Sequence, residues 1–195
     1  MAGGKAKIAI QSDHCPPLWR GFPTTPLFRP QVSSFFRCKS ATTLHYPIPM
    51  ETYRIHDDPS VYFVTYSVVS WLPVFVSERA CRLLTDSLAF CHAQKGLRIN
   101  AYVIMPTHLH AIVFDHEHDA TRLAQSLNAF RRYTGRMLAD AAIRNQPPVF
   151  SEVFRQAAGP DRHRRFWQPT RHPIAVRAER FWKQKLDYIH ANPVR

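Results

Sequence analysis

Two apolar runs, Arg98–Met105 and His108–Phe114, stand only Pro106 and Thr107 apart. So short a connection leaves two arrangements, adjacent strands or one strand broken by a bulge, because proline has no backbone donor and interrupts regular pairing. Either way the centre of the chain belongs to a sheet. Upstream, VYFVTYSVVSW from Val61 to Trp71 is rich in β-branched and aromatic residues and reads as a further strand. Between these, Ala80, Leu84, Leu88 and Cys91 recur at helical spacing, with Ser77 as cap and Gly96 as stop. Asp119 opens the next helix, whose stripe is Leu123, Leu127, Phe130, Thr134, Leu138 and Ala141, and Pro147 with Pro148 end it. A polar, basic stretch follows to Arg165, then the aromatic patch FWQ and a last helix with Trp182, Leu186 and Ile189 on one face, stopped before Pro193. The order is βα(ββ)α, then an irregular arm and a helix.

The 195 residues fit one domain with a tail. Residues 1–49 hold 7 of the 16 prolines and no sustained apolar period, so they cannot bury enough surface to offset their ordering entropy. They are expected to be a disordered leader, translated from an upstream start or not translated at all, because Met50 stands where patterning begins. The domain proper is then 50–195. No stretch approaches the ~20 apolar residues of a membrane span, and the start lacks a secretory apolar core. The four cysteines show no CxxC pair, which argues against zinc ribbons and disulfide scaffolds and for free thiols in a reducing cytoplasm.

Lys plus Arg number 26 against 14 Asp plus Glu, a net charge of +12 that points to a polyanionic partner and away from neutral or acidic metabolites. The surplus is one-sided. Residues 50–119 carry 5 basic and 8 acidic side chains, residues 120–195 carry 15 and 5. A basic run on one helix is commonly a solvated face. Here the surplus runs through two helices and a loop, interleaved with Phe166, Trp167, Phe181, Trp182 and Tyr188, the composition expected of a single-strand or hairpin DNA binder. Trp167 and Trp182 themselves read more readily as core or docking residues than as stacking platforms.

In MPTHLH, His108 and His110 alternate along a strand, so both imidazoles leave the same face and can share one metal ion. Alone, such a pair is as readily two hydrogen-bonded structural histidines.

YVIMPTHLHAIVF, then SLNAFRRYTGRML, then FWQ and DYIHANPVR, together resemble the REP-associated tyrosine transposases of the single-tyrosine HUH nuclease superfamily. The family's landmarks are MPNHxH on a strand, a helix with a basic residue before a tyrosine, a downstream WQ, and a late helix ending YIxxNPV. The match spans roughly Tyr53 to Arg195. It implies an α+β, ferredoxin-like fold, an antiparallel sheet carrying the histidines with helices packed on one face, plus a basic C-terminal helical arm. It also implies a bacterial, metal-dependent transposase or nickase that cleaves and rejoins single-stranded or hairpin DNA through a 5′-phosphotyrosine.

Carried onto this chain, the resemblance makes Tyr133 the nucleophile and His108 and His110 the ligands of Mg²⁺ or Mn²⁺. Read from its helix alone, Tyr133 is an ordinary boundary residue on the shoulder of the stripe. Arg131, Arg132, Arg136, Arg164 and Arg165 are the candidate DNA contacts, although Arg131 and Arg132 read equally well as a solvated helix face. Two departures stand out. The third ligand, usually polar and one turn after the tyrosine, would fall on Met137, a poor ligand for a hard ion, so Asp140 is expected to substitute directly or through water. Thr107 replaces the asparagine of MPNHxH. With the chain stopping at NPVR, as a C-terminally truncated copy would, these departures support the alternative of a catalytically silent, decayed or domesticated hairpin-binding protein. The sequence leaves open whether two chains pair as a homodimer.

Overall fold

The computed structural model of the protein describes residues 7–10, 61–160, 162–169 and 173–192. Five strands, β1 (Lys7–Ile10), β2 (Val61–Ser67), β3 (Leu97–Met105), β4 (His108–Asp115) and β5 (Ile174–Val176), form one antiparallel sheet in the order β1-β3-β4-β2-β5. Four helices accompany it: α1 (Glu78–Gln94), α2 (Ala120–Asn145), α3 (Pro148–Gln156) and α4 (Glu179–Ala191). The fold is α+β with the expected ferredoxin-like strand order. Pro106 and Thr107 join β3 and β4 as a tight hairpin, which settles the choice between two strands and one bulged strand. A bulge does occur, at Asn100 inside β3, where the register shifts between Ile99 and Ala101.

The two faces of the sheet are covered by different helices. On one, Tyr62, Val64 and Tyr66 of β2 and Leu109, Ala111 and Val113 of β4 meet Leu84 and Leu88 of α1 and Leu123, Leu127, Phe130 and Leu138 of α2. On the other, Val61 and Phe63, Ala101 and Val103, and Ile112 and Phe114 meet Ile189, Phe181, Trp182 and Leu186 of α4. The basic C-terminal helix therefore closes the sheet's second face. That is why β4 is buried along nearly its whole length, where a half-covered strand would alternate. The bulge serves this docking, since Asn100 Oδ1 accepts a 2.9 Å hydrogen bond from Trp182 Nε1.

Both expected caps form: Ser77 Oγ accepts from the Ala80 amide and Asp119 from the Arg122 amide. Behind the second cap, Asp115 at the end of β4, 1% exposed, takes two hydrogen bonds from the Arg122 guanidinium and two from the amides of Glu117 and Asp119. Strand and helix are thus locked at their junction.

Three differences from the sequence reading have local causes. The strand begun at Val61 ends at Ser67, not Trp71. Val68 donates to Thr107 of the hairpin and Val69 to Phe166, and the chain turns through Ser70 and Trp71 at φ 51° and 54°. Pro147 and Pro148 do close α2, but Pro148 also opens α3, where its fixed φ and missing donor cost nothing in the first turn. The arm before the last helix contains β5, three residues long and too short for a pattern to reveal. The expected leader lies outside the described residues except for Lys7–Ile10, which pair with Ala101–Ile104 as β1. Among the described residues no helix is long and apolar enough to cross a membrane, and Cys81 and Cys91 are buried free thiols.

Candidate active site

His108 and His110 alternate with Leu109 on β4, so both rings project onto the face closed by α4, with centroids 4.6 Å apart. Each is held through Nδ1 by a threonine hydroxyl. Thr65, directly across the ladder from His110, places Oγ1 2.8 Å from its Nδ1, and Thr107 places Oγ1 2.9 Å from Nδ1 of His108. The tautomer with its proton on Nδ1 leaves a lone pair on each Nε2, the usual way an outer hydroxyl or carboxylate prepares an imidazole for a metal. Thr107, at the asparagine position of MPNHxH, thus has a definite use.

His110 is 6% exposed, and its ring stacks on Phe63 at 5.3 Å and 22°. Burial first, then the neighbouring His108 and Lys185, push its pKa down to about 3, and burial alone lowers that of His108. Both rings are therefore neutral at physiological pH and able to act as ligands.

The tyrosine that meets this pair is Tyr188. Its phenol oxygen lies 3.4 Å from His110 Nε2, and its ring stands edge-on to His110 and to Phe63. The helical pattern of α4 explains the placement: Ile189 is fully buried against the sheet, which leaves Tyr188 on the helix flank at the histidines, 39% exposed. One turn earlier, Lys185 lies with its ammonium 4.8 Å from the Phe63 ring and 5.0 Å from Phe181, and burial lowers its pKa. One turn later, Asn192 is 9% exposed, and its Nδ2 is buried with no partner among the described residues. Beyond the histidines, Trp71, 56% exposed, sets its ring edge-on to His108 at 5.7 Å.

Tyr133 and Asp140, which the sequence resemblance places in the site, do not join this group. Both lie on α2, whose buried stripe packs on the other face of the sheet. Tyr133 is half exposed there, and Asp140 forms an ion pair with Arg164. Among the described residues no cluster of three or more His, Cys, Asp or Glu could hold a metal ion. One turn after Tyr188 stands the polar Asn192, where one turn after Tyr133 stands Met137. The motif DYIHANPVR is visible in the sequence; the signal that sequence reasoning misses is that its tyrosine flanks the helix face carrying Ile189.

The five candidate arginines converge elsewhere. Arg131, Arg132 and Arg136 of α2 face Arg164 and Arg165 across a cavity of about 760 Å³. Its floor is Trp167, 4% exposed, whose Nε1 donates to Thr134 Oγ1 at 3.1 Å. Trp167 and Trp182 are accordingly packing and docking residues.

No family model and no curated protein matches the chain. Among solved structures it is similar to a REP-associated tyrosine transposase bound to a REP hairpin, at 19% identity over 74% of this chain and 73% of that one, with a TM-score of 0.47. It is also similar to a protein of Deinococcus radiodurans R1 described as a transposase, at 17% identity over 75% of this chain and 96% of that one, with a TM-score of 0.38.

Proposed function

We propose that the protein is a metal-dependent, single-tyrosine DNA strand-transfer enzyme, a transposase or nickase acting on single-stranded or hairpin DNA, with Tyr188 as its nucleophile. The observation that carries this reading is the 3.4 Å approach of the Tyr188 phenol to Nε2 of a histidine pair whose Nδ1 atoms are both held by hydroxyls. A structural histidine pair needs no half-exposed phenol at its open side.

The residues present suit a divalent ion, Mg²⁺ or Mn²⁺. His108 and His110 through Nε2, and Asn192 through its carboxamide oxygen, would hold it. Such an ion polarises a phosphodiester and offsets the charge that develops on its oxygens. Tyr188 supplies the attacking oxygen and, being partly exposed, loses its proton to solvent. Its oxygen forms a bond to phosphorus as the bond to the 3′ oxygen breaks, giving a 5′-phosphotyrosine and a 3′ hydroxyl that takes up a proton. The ester conserves the bond energy, so a later 3′ hydroxyl can reverse the step and rejoin a strand. Lys185 adds a fixed cation one turn from the nucleophile.

Of the departures that support the competing reading, a silent hairpin-binding protein, Met137 lies on α2 and away from the histidines. The deciding experiment incubates the protein with labelled hairpin oligonucleotides and Mn²⁺ or Mg²⁺ and looks for a covalent protein–DNA band on a denaturing gel. Absence of the band at every metal tried would leave the binding module as the better reading.

A further inference from the structure

The arginine cleft and the histidine–tyrosine site lie on opposite faces of the sheet yet meet at one end of it. We infer that the cleft between α2 and residues 162–167 docks the sugar-phosphate backbone of a paired DNA stem, and that a stem held there presents its single-stranded flank to His108 and Trp71 around the ends of β2 and β4. The inference rests on the reading proposed above and adds to it a location for the double-stranded part of the substrate.

Charge is the first ground. Asp140 pairs with Arg164, but among the described residues no carboxylate pairs with Arg132, Arg136 or Arg165, and the buried Nε of Arg165 has no partner at all. A concave, low-dielectric wall carrying uncompensated guanidinium groups concentrates positive potential. Planar guanidinium forks suit phosphate oxygens.

The second ground separates backbone from bases. A single-strand site offers exposed rings on which bases stack. The large aromatic residues of this cleft, Phe166 and Trp167, are 3% and 4% exposed and serve as wall and floor, and the exposed ring at its rim is the imidazole of His163. With its arginine guanidinium groups against a single exposed imidazole, the cleft is equipped to hold phosphates rather than to stack a run of bases. The opposite arrangement holds beside His108, where Trp71 is more than half exposed.

Connection between the two sites is the third ground. Arg131 donates to the Gln168 carbonyl, the Gln168 amide donates to Ser67 at 2.9 Å, and Ser67 is the ladder partner of His108. The Val68 amide, next along, bonds Thr107, which in turn holds His108. The floor of the cleft is therefore joined to the histidine site through a few consecutive backbone hydrogen bonds.

The test measures fluorescence anisotropy of the full chain, without divalent metal, with two probes: a hairpin oligonucleotide carrying a single-stranded flank, and the flank alone. Arg132 and Arg136 are exposed helix positions where alanine preserves the helix, so Arg132→Ala/Arg136→Ala is expected to remain folded by circular dichroism. Its hairpin affinity should fall at least ~10-fold and its salt slope by about 2, one for each guanidinium that no longer neutralises a phosphate, with a much smaller change for the flank. Arg132→Lys/Arg136→Lys should recover most of the salt slope. Equal losses on both probes, or none on the hairpin, would overturn the assignment, as would a poly-glutamate peptide that competes as well as the hairpin. Because no metal is present, the result is independent of covalent chemistry. A missing adduct in the gel assay bears on Tyr188, and an unchanged hairpin affinity bears on the cleft.

Discussion

The phenol of Tyr188 lies against Nε2 of His110, while Tyr133 rides on a helix packed on the opposite face of the same sheet. The two tyrosines therefore make opposite predictions. Tyr188→Phe should abolish the covalent adduct and leave hairpin binding nearly intact. Tyr133→Phe should leave adduct yield within about twofold, since only an exposed hydroxyl is removed. The readout is the denaturing gel, run with both variants and wild type at matched binding saturation. Loss of the adduct in the Tyr133 variant alone would reinstate Tyr133 as the nucleophile.

What is legible in the sequence follows from the range of each signal. The caps at Ser77 and Asp119, the stripes of α1 and α2 and the histidine alternation are local, and each recurs in the structure near its expected bounds, except that the α2 stripe ends on Ala139 and Ala142 and not on Ala141. The short β5 is defined by pairing with β2 and the bulge at Asn100 by its bond to Trp182 of α4, partners that no window of sequence contains. The choice between Tyr133 and Tyr188 is of this second kind. Each sits on an amphipathic helix near basic residues, and only the face of the sheet that its helix covers tells them apart.

The hydroxyl of Thr65 orients His110, so its effect should appear in metal affinity. Thr65→Val keeps the shape and β-branching but removes the Nδ1 partner, and outer hydrogen bonds of this type are worth about 10–100-fold in metal affinity. Titration calorimetry with Mn²⁺ on the DNA-free protein should show a loss in that range for Thr65→Val and recovery with Thr65→Ser. Unchanged affinity in the valine variant would mean that Thr65 only completes the ladder.

Two buried groups set the acid limit of the fold, with the same sign by different routes. Burial first, then His108 and Lys185, depress His110 to about 3, so the folded protein resists a proton that the unfolded chain accepts below ~6.5. Stability from this group is complete above ~6.5 and falls with pH toward about 3, at up to ~1.4 kcal/mol per pH unit. For Asp115, burial alone would raise the pKa, but the Arg122 hydrogen bonds and the amides of Glu117 and Asp119 prevail and hold it at about 2. Its contribution is complete above the unfolded value of ~3.9 and disappears between there and about 2. Urea melts should show wild-type stability declining in two stages, the first reduced in His110→Asn to the part that His108, whose pKa burial also lowers, contributes. Arg122→Ala, which leaves a buried carboxylate unpaired, should cost about 3 kcal/mol at neutral pH, with the deficit shrinking below pH ~4. A deficit constant down to pH ~2 would show that Arg122 acts through packing alone.

Gly135 presents a contest of two effects whose sign the structure decides. Replacing a glycine inside a helix by alanine ordinarily stabilises by ~1 kcal/mol. At this position the new Cβ would stand 3.0 Å from Trp167 Cδ1, closer than carbon atoms pack comfortably. The outcome depends on whether the indole can retreat. Trp167 is 4% exposed, bonded through Nε1 to Thr134 on the same helix, and packed on Phe75, Tyr66 and Phe166. With no free direction, the overpacking cost of ~1–3 kcal/mol should equal or exceed the propensity gain. Gly135→Ala is therefore expected to lower the thermal midpoint, and a Trp167→Phe/Gly135→Ala double variant to lose less stability than the two changes summed, because the smaller ring accommodates the methyl group. A raised midpoint in Gly135→Ala would show that the indole moves freely and that the floor of the arginine cleft is softer than its packing indicates.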